Sequence, residues 1–432
     1  MATARMNRST FALVAARSWP RLTGLPPGGY TPEMTERERI LCALGGKTPD
    51  RPPWATRLDL WLEARERKGA LPDRYRGASV MSIYRDLGVG RQSYVPITVN
   101  RLRGVEMLAD LDGVPFLRQR DPLVRFPLVT DLVPRDRPGV STFTFKTPVG
   151  DCRIQYTTTP EILATGTLPF LTRRSIAEEA DFATVFWILD RAEVLPEYGP
   201  LLQREKEIGG DGLAIGMIDR VPFQRVLLDF LGEERTFFEM YDEPSRFSRL
   251  LGRLEELRTQ SVAVAAASPA VMVEHSDNVD GEMTNPRLFA RYCIPALQRS
   301  AEAVHGTGKH LGSHMDGDLS ALLDLVPDSG VDVVESFSPE PLSRLSFRRA
   351  WERWRDRVVL WGCLASPRFE SQSPADLLES ETREVLSCAR IGGRLILGIA
   401  DQAVGPTLEE RIRLVTGLIA QYEGTDVGRA VL

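Results

Sequence analysis

All four histidines of the chain, His275, His305, His310 and His314, fall in the single stretch 275–314. Carboxylates are interleaved with them in Glu274-His-Ser-Asp277 and His314-Met-Asp316-Gly-Asp318. Side chains two residues apart at a strand end share one face, so His314 and Asp316 can address the same space. An imidazole with nearby carboxylates does one of two kinds of chemistry: it holds a divalent metal, or it moves protons as an acid–base pair. For a metal, His314 with Asp316 and Asp401 is the expected three-ligand set with an open position, and Cys363 or His275 can replace a member. Zinc is the first expectation, and carboxylates in place of thiolates also admit manganese or iron. For acid–base work, the candidates are His275, Asp277, His310 and Glu335. Asp318 reads as a helix cap, and His305, at a helix end before Gly306, stays outside the site.

These residues need a scaffold that gathers positions distant in sequence. From about residue 174 onward, apolar runs of strand length alternate with helical periods: strands at 213–218, 270–274, 309–313, 331–334, 358–361 and 395–397, each followed by a helical stretch. One of those stretches is a helix expected over 319–326. Six strand-then-helix units, with room for two more strands in the first part, predict a (β/α)8 TIM-type barrel of the α/β class. Trp54-Ala-Thr is a candidate first strand; Tyr94-Val-Pro-Ile-Thr-Val is β-like, but Pro96 argues against a central one. Glu274-His-Ser-Asp277, His314-Met-Asp316, Glu335-Ser336, Gly362-Cys363 and Gly398-Ile-Ala-Asp401 then all follow strands, where a barrel opens its active-site mouth. Alternating runs around Pro148-Val-Gly-Asp, Ser141–Thr147 and Cys152–Thr158, predict an inserted antiparallel hairpin that is not a separate domain.

Composition bounds the rest. With 43% apolar and 26% charged residues, the chain is of the globular class, and a net charge of −5 with dispersed signs argues against nucleic acid. The five cysteines form no C-x-x-C pair, which fits a reducing cytoplasm, and no apolar run reaches the roughly 18 residues of a membrane span. Residues 1–33 carry four arginines and no acid before Glu33. That is the composition of a transit peptide or, preferred here, a disordered extension ahead of one barrel domain over 34–432.

The chain resembles the uroporphyrinogen decarboxylase superfamily, which includes the haem-pathway decarboxylase and corrinoid-linked methyltransferases. The resemblance lies in Thr35-Glu-Arg-Glu-Arg-Ile-Leu-Cys-Ala-Leu, Pro49-Asp-Arg-Pro-Pro, His275-Ser-Asp, Pro286-Arg-Leu-Phe and His314-Met-Asp-Gly-Asp. It continues through Gly330-Val-Asp-Val-Val-Glu-Ser-Phe-Ser-Pro, Leu360-Trp-Gly-Cys-Leu-Ala-Ser-Pro and Leu397-Gly-Ile-Ala-Asp. The family fold is a TIM-type barrel. No Arg-Gln-Ala-Gly-Arg-Tyr signature of the haem-pathway branch follows Trp54-Ala-Thr, and His314-Met-Asp316 stands where the zinc-dependent methyltransferases carry a His-x-Cys pair. The resemblance therefore implies a metal-dependent methyltransferase moving a methyl group from a small substrate to a corrinoid on a partner protein, with a homodimer as an option. The alternatives are a decarboxylase of uroporphyrinogen or a related acid, with Asp277 as charge stabiliser, and a non-catalytic binding barrel.

Overall fold

Eight short parallel strands surround the centre of the computed structural model, which describes residues 33–422. They are β1 (Ala55–Thr56), β2 (Gly90–Pro96), β3 (Gly212–Ile218), β4 (Met272–His275), β5 (His310–His314), β6 (Val333–Phe337), β7 (Val359–Ala365) and β8 (Leu395–Ala400). Each pairs with the next in chain order, and the ring closes where Trp54 bridges Leu397 and the Leu397 N–H donates to the Pro53 carbonyl at 2.9 Å. This is the expected (β/α)8 barrel.

Alternation along the strands builds two cores. Ala55, Leu213, Ile215, Met217, Met272, Val333, Val359, Trp361 and Ile396 fill the barrel. Helix α1 (Glu36–Leu44) closes its floor with Ile40, Ala43 and Leu44. Thr35 caps this helix through the Glu38 N–H, and the Glu38 carboxylate answers to the Thr35 N–H. The opposite parity, Val273, Leu311, Val334, Leu360 and Leu397, packs outward against the helices.

Three expectations change. Pro96 does lie in a barrel strand, because it is the last residue of β2, opposite Met217, where a missing N–H breaks no interior ladder bond. The stretch 319–326 forms only the single turns Ser320–Leu322 and Val326–Ser329, since Pro327 disfavours α backbone at the residue before it. The hairpin Gly139–Thr147 with Gly150–Thr158 is the centre of a five-stranded antiparallel sheet, and a three-stranded sheet accompanies it between β2 and β3. The edge strand Val114–Arg120 is exposed along nearly all its length and so has no alternating pattern to read. No helix among the described residues is long and apolar enough to cross a membrane. The expectation for residues 1–33 lies, but for Glu33, outside the described residues.

Candidate active site

Because Met272 and Val333 point into the barrel, Glu274 and Glu335 two residues later point into it as well, one layer nearer the mouth. His314, at the end of β5, joins them. Ligand atoms of Glu274, His314 and Glu335 all lie within 4.8 Å of one another, and all three residues are buried. Glu335 Oε2 stands 2.5 Å from His314 Nδ1, and Gln92 Nε2 of β2 donates to Glu335 Oε1 at 2.6 Å. The Tyr94 hydroxyl is 3.4 Å from the same imidazole nitrogen, with the two rings edge to face. Glu274 reaches this position across Gly312, where a Cβ would lie 2.4 Å from Met272 Cε and 3.2 Å from Glu274 Oε2.

The electrostatics divide the cluster. Burial by itself would raise the Glu335 carboxyl, but the adjoining His314 charge and hydrogen bond outweigh it and bring the pKa down to about 2. His314 is the mirror image: burial lowers it, Glu335 and Asp316 raise it more, and it rises to about 10. For Glu274 the His314 and Arg57 charges also lower the carboxyl, but they are outweighed. Burial and then the Glu335 charge push its carboxyl well above the usual range, and neither of its oxygens has a hydrogen-bond partner among the described residues. A dry, unpartnered carboxyl beside an imidazole and a second carboxylate is the donor set a divalent cation takes up, with two hard oxygens and one nitrogen.

Around the cluster, Asp316 lies 3.6 Å from His314 Nε2 and accepts from Asn278 Nδ2 at 3.1 Å. Arg57, just after β1, sits over the Tyr94 ring at 4.2 Å and pairs with Asp401 at 2.7 Å. Backbone strain gathers on the same rim. Ser336 and Cys363, in the last residues of β6 and β7, and Asp401, just beyond β8, all have positive φ, which costs a non-glycine residue on the order of 1–3 kcal/mol.

The structure sorts the expected site residues. His314 and Glu335 meet in the cluster, and Asp316 borders it. Asp401 is joined to Arg57, not to His314, and its side chain is 52% exposed. Cys363 packs among the buried residues of the helix layer, where burial and then the Cys388 thiol of the outer helix raise its own thiol. His275 has the outward parity of β4. Its Nδ1–H donates to the Asp219 carbonyl at 2.6 Å, which leaves Nε2 to accept from Ser300 Oγ at 2.8 Å. Asp277 accepts from the Val221 N–H at 2.8 Å and from Ser313 Oγ at 2.9 Å and is fully buried, so it ties loops together. His310 opens β5 beside Asp332, about 13 Å of strand away from the mouth. Gln92, Tyr94, Arg57 and the place of Glu274 in the cluster were not read from the sequence. For Glu274 the signal was present, two residues after an apolar inward position.

Next to Tyr94 a cavity of about 180 Å³ opens between the ends of β2 and β3 and is roofed by Arg125–Leu128 of the insertion. Its remaining walls include Met217, Asp219, Arg225 and Asp229. This is below the roughly 300–1,000 Å³ of pockets for drug-sized ligands, a size that suits a small molecule.

Comparison with known proteins agrees with this architecture. Residues 231–421, which hold the last five barrel strands, match the family model described as uroporphyrinogen decarboxylase (URO-D). Among solved structures, a methyltransferase from Methanosarcina mazei superposes with a TM-score of 0.56 at 14% identity, over 90% of this chain and 99% of that one. At that identity the likeness is one of fold. No curated protein sequence matches the chain.

Proposed function

We propose that this uroporphyrinogen decarboxylase-like barrel is a metal-dependent methyltransferase that moves a methyl group from a small substrate to a corrinoid carried by another protein. The observation that carries the reading is the buried Glu274–His314–Glu335 cluster at the barrel mouth beside a cavity of small-molecule size. Glu274, His314 and Glu335 would hold the metal, zinc being the first candidate and the hard donor set admitting manganese or iron. When bound, it would supply a Lewis acid toward the heteroatom that bears the methyl group.

The protein's own residues do the rest. Gln92 pins one oxygen of Glu335 so that the other faces His314, which fixes the imidazole on the inner face. Tyr94 keeps its proton, because burial raises its phenol well above the ordinary value, and its hydroxyl, which bonds to Glu335 beside His314, would turn to donate to a heteroatom losing its methyl group. Arg57, close to both Tyr94 and Asp401, places a fixed cation over the acidic mouth. Residues 125–128 cover part of the cavity beside Tyr94.

The decarboxylase reading relied on Asp277 to meet substrate, and that carboxylate is already committed to Val221 and Ser313. The test is methylation of cob(I)alamin by a panel of small O-, N- and S-methyl compounds, followed by absorbance, with the parent protein and His314→Ala. Transfer by the parent that His314→Ala loses supports the proposal. Carbon dioxide release without methylation of the corrinoid would overturn it.

A further inference from the structure

The cavity beside Tyr94 carries charge that the scheme above leaves unused. Arg225, 2% exposed, forms part of its wall and makes one hydrogen bond, from Nη2 to the Phe126 carbonyl at 2.6 Å. Its Nε and Nη1 have no hydrogen-bond partner among the described residues. The nearest carboxylates are distant for such bonds: Asp219 Oδ2 is 3.4 Å from Nη1, and Asp229 Oδ2 is 3.9 Å from Nε. Asp229 already accepts from Arg220 at 3.2 Å. Charged donors left dry and unbonded are costly, and native structures rarely keep them without a use. In the roof, Arg125 pairs with Asp131, whose side chain is 69% exposed and so screened by solvent. In the cavity wall Arg125 and Arg225 thus face Asp219 and Asp229, and Asp229 is already engaged by Arg220 from outside the wall.

We propose that this cavity binds the carboxylate of a small carboxylate-bearing methyl donor through Arg225 and Arg125, with the methylated end toward Tyr94 and His314. The fate of the methyl group rests on the proposed methyl transfer; the carboxylate subsite does not. The unbonded Nε and Nη1 edge of Arg225 matches one carboxylate, whereas the second charge of a phosphate dianion would add repulsion from Asp219 and Asp229 in the same wall. A cation would be opposed by the unbonded guanidinium edge.

The test is calorimetric titration of the full chain with three isosteric probes, methoxyacetate, 2-methoxyacetamide and 2-methoxyethylammonium. The acid should bind the parent about tenfold or more tightly than the amide, as expected for charge-assisted hydrogen bonds, and the ammonium most weakly. Arg225→Gln and the less buried Arg125→Ala should each erase most of the preference for acid over amide, and Arg125→Ala covers the case in which the first fails to fold. His314→Ala should leave that preference intact. Equal binding of acid and amide, preference for the ammonium, or no binding of any probe by folded parent protein overturns the subsite. A clear acid preference in a protein that methylates no corrinoid counts against the reaction alone.

Discussion

His314 and Glu335 are register partners on adjacent parallel strands, and their side chains meet at 2.5 Å inside the barrel. A histidine and a carboxylate that neighbour each other across a ladder, with Glu274 one strand further round, form a donor cluster no local sequence motif displays.

Protein purified without chelator should carry about one divalent metal, lost in His314→Ala and in Glu335→Gln. Asp401→Asn and Cys363→Ser should retain it, because Asp401 faces Arg57 and Cys363 faces the helix layer. Gln92→Leu should weaken metal binding by roughly 10–100-fold, the usual loss when a ligand's supporting hydrogen bond is removed. Elemental analysis and competition with a chelating dye read all five; metal lost with Asp401 and kept without Glu335 would reverse the assignment.

Metal uptake should release protons. His314, raised to about 10, holds a proton at neutral pH that a cation must displace, and burial with the neighbouring Glu335 charge pushes the Glu274 carboxyl up, while Glu335 at about 2 is already ionised. Affinity should therefore rise with pH through the neutral range. Titration calorimetry in buffers of different ionisation enthalpy should give about one proton or more released per metal; a value near zero contradicts the pairing of His314 with Glu335.

Gly312→Ala should disturb Glu274 and the core together, since its Cβ would press Met272 at 2.4 Å. We expect a loss of about 1–3 kcal/mol in denaturant unfolding, with weakened metal binding. An unchanged midpoint would show that β5 has slack the structure does not suggest.

His275 should act on stability and not on turnover. Burial lowers its pKa despite the nearby Asp277 charge, so the neutral ring is the folded form. Its contribution is present above the unfolded value of about 6.5 and is lost as pH falls through the lower folded value. Unfolding midpoints measured from pH 8 to pH 5 should drop in the parent more steeply than in His275→Gln. Parallel curves would refute the assignment.

Asp277→Ala should cost about 1–3 kcal/mol, because it leaves the buried Val221 N–H and Ser313 hydroxyl without their acceptor. Metal content and corrinoid methylation per folded molecule should stay at the parent level. A selective loss of activity at unchanged stability would return Asp277 to the reacting centre.

The barrel was legible in the chain because strand-length apolar runs and helical periods alternate through the last six units, and local pattern is enough to announce each element. So was the neighbourhood of the site: polar residues follow strand after strand, and in this fold strand ends share a mouth. What the chain alone did not determine was which of those residues face each other. Placing the end of β4 one residue early left the parity of Glu274 and His275 unread, and a shift of one residue exchanges the inner face for the outer. The true phase sends His275 and Ser313 to the helices and Glu274, His314 and Glu335 inward. The left-handed residue Cys363 then turns away from a mouth its position in sequence had promised it. Strand existence is a local property of the side chains, but the pairing of His314 with Glu335, the reach of Glu274 across Gly312 and the support of Gln92 depend on ladder register and close packing between segments far apart in sequence. Only the folded barrel decides them.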